Sequence, residues 1–409
     1  MNIQSGTYYW PTTLADCPSY PPLTKNITCD ILIVGGGSTG AQMAYQLSNC
    51  DKNVVLIDKN KVGSGSTSAN TALIQYAGER PFSTLSHTFG YPTMATHLQL
   101  CRQAIDELAD LSQQINFDSQ FERRDSLYFA TVPEDLDQLE TEYRILKDEG
   151  CQVSILGENE IKQRYHFSKP GAIYFHNDAQ LNPFSFTHGL IHYAAEQGVS
   201  IYEQTEMNGH KFEADEVIIY TKNGYQIRAK KVIFCCGYEG VTLKNDKNIT
   251  FSSTYTVTTA PIDPSEIWYN RTMIWETARP YVYIRTTADN RLIIGGLDET
   301  TIYPEYRDAK LISKRDQLIE ALNKLFPSMQ VEPSSFLAAQ YGGTVDGLPI
   351  VGKYEQAPNC YFVFAFGDNG IVYSQALTKL IAEELIEGKS EALEIYHQAR
   401  PLLNTTTKK

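Results

Sequence analysis

The chain has 409 residues, 42% of them hydrophobic, enough to bury a substantial core as two domain-sized units or as one larger discontinuous architecture. Its 48 acidic residues against 35 basic ones give a formal net charge of -13 with no basic block, which argues against nucleic acid and anionic membranes as partners. The eight cysteines form no CxxC pair and are expected as reduced thiols. The first residues lack the basic-then-apolar pattern of a signal peptide, and no run approaches the roughly 20 apolar residues of a membrane span, so a cytoplasmic protein is expected.

An N-terminal extension, 1–27, carries Tyr8, Tyr9 and Trp10. The apolar, β-branched run Asp30 to Val34 then reads as a buried parallel strand. Gly35, Gly37 and Gly40 follow at G-x-G-x-x-G spacing, with Ser38 and Thr39 opening a helix. Small residues here permit a tight turn, close approach of backbone to a pyrophosphate, and close helix packing. A second strand, Asn53 to Ile57, ends at Asp58, 18 residues beyond Gly40, where a carboxylate can accept hydrogen bonds from ribose hydroxyls. Strand, loop, helix, strand and acid in this order point to dinucleotide binding and leave NAD and FAD open. The run 62–70 (VGSGSTSAN), with Ser66, Thr67, Ser68 and Asn70, offers hydroxyls to the diphosphate from the opposite side, although the same composition suits a surface turn.

Helical periodicity marks Leu98 to Ile115 and Pro133 to Gly150, whereas aromatic and β-branched residues mark Phe251 to Ala260 and Met273 to Ile284 as sheet. Lys231 to Cys236 reads as a strand returning to the nucleotide and stopping at Gly237. Tyr361 to Phe366 is another buried strand, after which Gly367, Asp368, Asn369 and Gly370 open a helix whose positive end suits a flavin oxygen or ribityl chain. His188 and His192 share the spacing of two metal ligands but no third ligand accompanies them, so no metal is expected. Cys235 and Cys236 are expected to fill space in a buried strand. Arg285 ends a sheet strand and is either a salt-bridged edge residue or a catalytic charge beside flavin or substrate, ranked above Arg291.

Together the Gly35 loop, Ser64 to Asn70, Ser126 to Ala130, Asn182-Pro183, Gly237, Tyr283 to Arg285, Asp289 to Gly296, Asp346 to Pro349 and Gly367 to Ser374 resemble the D-amino-acid oxidase superfamily of FAD oxidoreductases. The resemblance spans nearly the whole chain, and 283–296 looks nearest to the γ-glutamylputrescine oxidoreductase branch. It implies an α/β fold with a discontinuous Rossmann-like FAD-binding domain (28–90, 182–245, 335–400). An α+β substrate domain with an antiparallel sheet (91–181, 246–334) is inserted into it, and a tail covers 401–409. It also implies FAD contacts at Lys59, Met207 and Ile371 beside the residues above. The FAD is expected to be noncovalent, because 338–344 lacks the cysteine and 58–70 the histidine that tethering members use.

The implied activity is oxidation of a small-molecule amine at a carbon–nitrogen bond. Glycine-oxidase-like members hold the substrate carboxylate with two arginines, and the matching positions here are Tyr341 and Asp368. That departure favours an amine over a simple α-amino acid if Asp368 faces the cavity, and not if it merely caps the following helix. Oxidation of an amino acid or N-methyl amino acid is the alternative. A flavin-binding protein without turnover is a third reading, and a NAD-dependent dehydrogenase is disfavoured by the C-terminal return to the nucleotide fold.

Overall fold

A computed structural model describes residues 2–78 and 80–400, so the expected tail 401–409 lies outside the described residues. Strand Ile27–Val34 is flanked in parallel by Val54–Ile57 and Gln226–Phe234. Cys360–Phe364 and Ser200–Tyr202 extend the parallel set at either side. These strands are nearly continuous apolar runs because both faces are covered. Ile31, Ile33, Val54 and Leu56 share one core with Ala41, Ala44, Leu190 and Leu377 of the helices Ser38–Leu47, Pro183–Glu196 and Gly370–Glu387. Leu32, Val34, Val55 and Phe234 face the other way, onto Val217 and Ile219 of a β-hairpin and onto Phe362 and Phe364.

A second sheet of ten strands stands over this layer. Its centre is the run Pro333–Thr344, Ile249–Thr259, Leu292–Glu299 and Val282–Thr286, all antiparallel. The stretch Met273 to Ile284, expected as sheet, holds two strands, Met273–Glu276 and Val282–Thr286, folded back on each other. The sheet is also not wholly antiparallel, since Met273–Glu276 runs parallel to Glu122–Phe129. These strands are far apart in sequence and no hairpin joins them, so chain connectivity does not impose an antiparallel pairing.

Helix Tyr91–Gln114 buries Leu98, Cys101, Ile105 and Leu108 in the core that holds Ile31 and Ile33. The N-terminal extension is built into the fold: Gln4–Gly6 adds a strand to the edge of Pro333–Thr344, and Tyr9 and Trp10 are buried. Among the described residues no helix is long and apolar enough to cross a membrane, all eight cysteines are free thiols, and no His/Cys/Asp/Glu group has metal-binding geometry. His188 packs on Phe184, and burial holds its imidazole down to about 4, whereas His192 pairs with Glu196 at the surface.

Candidate cofactor and substrate site

The glycine loop turns where the first parallel strand ends. Gly35 has φ +111°, and a Cβ there would stand 2.3 Å from the Cys235 carbonyl oxygen, so only glycine fits. At Gly40 a Cβ would meet the Gly35 carbonyl oxygen at 1.8 Å, which fixes how closely the helix approaches the strand. Gly37 differs: its added Cβ would find Thr67 Oγ1 at 3.3 Å and no other neighbour within 4 Å. It faces open space, as a diphosphate cradle requires. The cap residue Gly37 brings no side-chain bond to the helix, and Ser38 N–H donates to Thr67 Oγ1 (2.9 Å), joining the loop to the serine-rich segment. Thr39 Oγ1 lies 2.8 Å from Ser374 Oγ, tying this helix to the C-terminal one.

Asp58 is half-buried at the tip of its strand. Its two oxygens accept the Gly36 N–H (2.6 Å) and the Asn60 N–H (2.7 Å), while burial raises its pKa from the ordinary carboxylate value. The acid therefore stands beside the glycine loop, where a ribose would follow the diphosphate. Asp58→Ala is expected to weaken FAD binding by roughly 1 to 3 kcal/mol, read by titrating apoprotein with FAD. An unchanged affinity removes Asp58 from the site.

From this cradle a cavity of about 1000 Å³ opens between the two sheets. The nucleotide side contributes Ser66, Asn70, Gly367 and Gly370. The roof contributes Trp275, Tyr281, Tyr283, Tyr341 and Asp298. Asp368 lines this cavity and also an adjoining one of about 890 Å³, and Tyr341 and Gly367 are common to both. Asp368 Oδ1 accepts the hydroxyls of Tyr341 (2.6 Å) and Tyr281 (3.0 Å). The helix-cap position belongs to the next residue, Asn369, which makes no side-chain cap bond and instead donates from Nδ2 to the Ala77 carbonyl (3.0 Å). Gly367 has φ +115°, a turn that lets the chain pass between the two cavities.

Several expected site residues do not line this cavity. Arg285 is 2% exposed and is not part of the cavity wall. Its guanidinium donates to the carbonyls of Thr71, Ala72, Leu181 and Thr286 and lies over the Trp10 ring. The expectation of a catalytic charge at Arg285 is corrected: buried carbonyls take its donors, and it braces the segment following Asn70. Lys59 pairs with Glu239. Met207 begins a hairpin strand and packs partly buried against the sheet core, and Ile371 is buried in the core beneath the C-terminal helix. Gly237 sits at φ +54° where its strand stops, with open space around its Cα. Ser68 Oγ donates to the Gly65 carbonyl.

Several contributors escaped the sequence reading. Gln4 lines the cavity and donates from Nε2 to the Gly65 carbonyl (3.2 Å), and Trp10 Nε1 donates to the Asn70 carbonyl (2.6 Å), so the N-terminal extension straps the serine-rich segment. Asp298 and Tyr281 flank the recognised 283–296 stretch. Two-residue alternation from Tyr283 would have placed Tyr281 on the same sheet face.

An uncapped glycine loop, a strand-tip acid and a cavity opening between the layers have the donor set of a dinucleotide-binding site and fit FAD. Residues 30–384 match the FAD dependent oxidoreductase (DAO) family, and the chain belongs to it. It is 25% identical over 374 residues to glycine oxidase of Geobacillus kaustophilus, covering 90% of this chain and 95% of that one. The crystal structure of glycine oxidase from that organism superposes with a TM-score of 0.74 at 22% identity, over 88% of this chain and 95% of the other. Gamma-glutamylputrescine oxidoreductase of Escherichia coli is 23% identical over 408 residues (97% and 92%). A putative Rieske 2Fe-2S iron-sulfur protein, YhfW, of Bacillus subtilis is 25% identical over 406 residues (97% and 76%).

Proposed function

We propose that this FAD-dependent enzyme oxidises an amine that reaches the site as a cation and carries no α-carboxylate. The observation that carries the reading is the carboxylate of Asp368 on the cavity wall, held by two tyrosine hydroxyls. A carboxylate on the cavity wall is the charge complement of an ammonium and accepts its N–H donors. Among the described residues of this cavity wall there is no Lys, Arg or His to receive a carboxylate.

Bound FAD supplies a two-electron acceptor for the hydride equivalent of the carbon beside a neutral nitrogen. The nitrogen lone pair becomes the second bond of an imine as that hydride leaves, and water then adds to give a carbonyl compound and ammonia, or the remaining amine where the nitrogen is substituted. The chain's part is to dock and orient the substrate at Asp368, with Tyr281 and Tyr341 fixing the carboxylate, and to exclude bulk water with an aromatic wall. The ammonium must also release its proton before it reacts. We further infer that FAD is noncovalent, because the contacting segments 58–70 and 338–344 hold no cysteine or histidine.

The second reading, an amino acid or N-methyl amino acid, is favoured by Arg80, which lines the adjoining cavity. Anaerobic bleaching of the purified yellow enzyme by matched pairs of amines and α-amino acids separates the two. Amines are expected to reduce the flavin at least ten-fold faster. Faster reduction by glycine, sarcosine or a D-amino acid than by any related amine overturns the proposal, and no reduction by either class leaves a flavin-binding protein without turnover.

A further inference from the structure

Asp368 is not the only acid on the cavity wall. Asp298, at the end of strand Leu292–Glu299, lines the same cavity from the roof, and its Oδ1 is buried without a hydrogen-bond partner. A buried acceptor without a donor is costly, and a carboxylate more so than a carbonyl. Burial, with the charge of Asp368 adding to it, pushes the Asp298 carboxyl up to about 6, although Thr254 hydrogen-bonds it and Lys314 and Arg279 act in the opposite direction. Lys314 is itself engaged by Glu299 and the Leu297 carbonyl, so it does not neutralise Asp298 locally.

The wall around the two acids is aromatic. Trp275, Tyr281, Tyr283 and Tyr341 line it, and aromatic faces attract ammonium groups when water is excluded. Trp275 is 6% exposed and its Nε1 is also without a partner. An orphan carboxylate oxygen on an aromatic wall suits an ammonium.

We propose that Asp298 is a specificity-determining residue that receives a second, distal ammonium, so that the preferred substrate is an amine with two nitrogens separated by an apolar spacer. The proposal rests on the amine reading above, with Asp368 serving the reacting end and Asp298 the far end. The apolar spacer between the two would lie against the tyrosine rings.

The test uses FAD-loaded enzyme and α,ω-diamines of increasing length, each beside the n-alkylamine of the same length and the corresponding ω-amino acid. Apparent Kd is taken from anaerobic flavin reduction, and again by calorimetric titration of dithionite-reduced enzyme, which cannot turn over. At one or more lengths the diamine is expected to bind at least ten-fold tighter than the monoamine, with the ω-amino acid weaker than both. Asp298→Asn is expected to bring the diamine-to-monoamine ratio near one, whatever it does to the rate with either. Equal affinities for diamine and monoamine at every length in the wild-type enzyme overturn the proposal without any variant, as does an unchanged ratio in Asp298→Asn. Preference for α-amino acids over every amine would instead bring down the underlying amine reading.

Discussion

Gly37→Val is expected to give a folded protein that purifies without colour. Gly37 has φ -80° and ψ -171°, backbone that any residue adopts, and its added Cβ would touch only Thr67 Oγ1, at 3.3 Å. The cost of the branched side chain therefore falls on whatever occupies the open side of the loop, where the diphosphate must approach the backbone closely. Losing charge-assisted bonds to backbone N–H groups is worth about 3 kcal/mol or more, roughly a hundred-fold in FAD affinity. The neighbouring glycine gives the contrast. Gly40→Val would drive a side chain into the Gly35 carbonyl oxygen, 1.8 Å from the Cβ position, and should unfold the layer. Circular dichroism with the ratio of flavin to protein absorbance reads both variants, and a fully yellow, active Gly37→Val protein would refute the placement of FAD at this loop.

The second large effect is expected at Asp368. Asp368→Asn keeps an oxygen for the hydroxyls of Tyr341 and Tyr281 but removes the charge, so KM for a cationic amine should rise about 10- to 100-fold, the range of a hydrogen bond to a charged group. Asp368→Arg reverses the charge at the junction of the two cavities and should lower kcat/KM for that amine by about a hundred-fold or more. It should also raise activity on the matching α-amino acid, since a guanidinium can take a carboxylate in two hydrogen bonds. Steady-state kinetics on matched pairs measures the inversion. A substrate order that neither replacement changes would show that Asp368 does not touch substrate.

The nucleotide half was legible in the sequence because its signals are local. A β-branched apolar run, three glycines at fixed spacing and an acid at the next strand tip are constraints that neighbouring residues impose on one another, and the structure brings Gly37, Ser38, Asp58 and Thr67 together. The position of Asp368 just ahead of the C-terminal helix was legible for the same reason.

What sequence order could not decide was which way long side chains face across a layered fold. Arg285 carries a charge at a plausible distance along its strand from Tyr283, yet whether that charge meets a cavity or four backbone carbonyls depends on Thr71 and Leu181, 214 and 104 residues away in the chain. Asp298 shows the converse, an ordinary surface-type residue in the sequence that the roof strand turns into the cavity. The N-terminal extension had no periodic pattern to betray it, because its place comes from edge pairing with Pro333–Thr344, at the far end of the chain. Local spacing thus determined the FAD cradle and the family. The opposing walls, and with them the acids that line the cavity, were decided only when distant strands came together, since a side chain's partner across a cavity is set by packing and not by its neighbours in sequence.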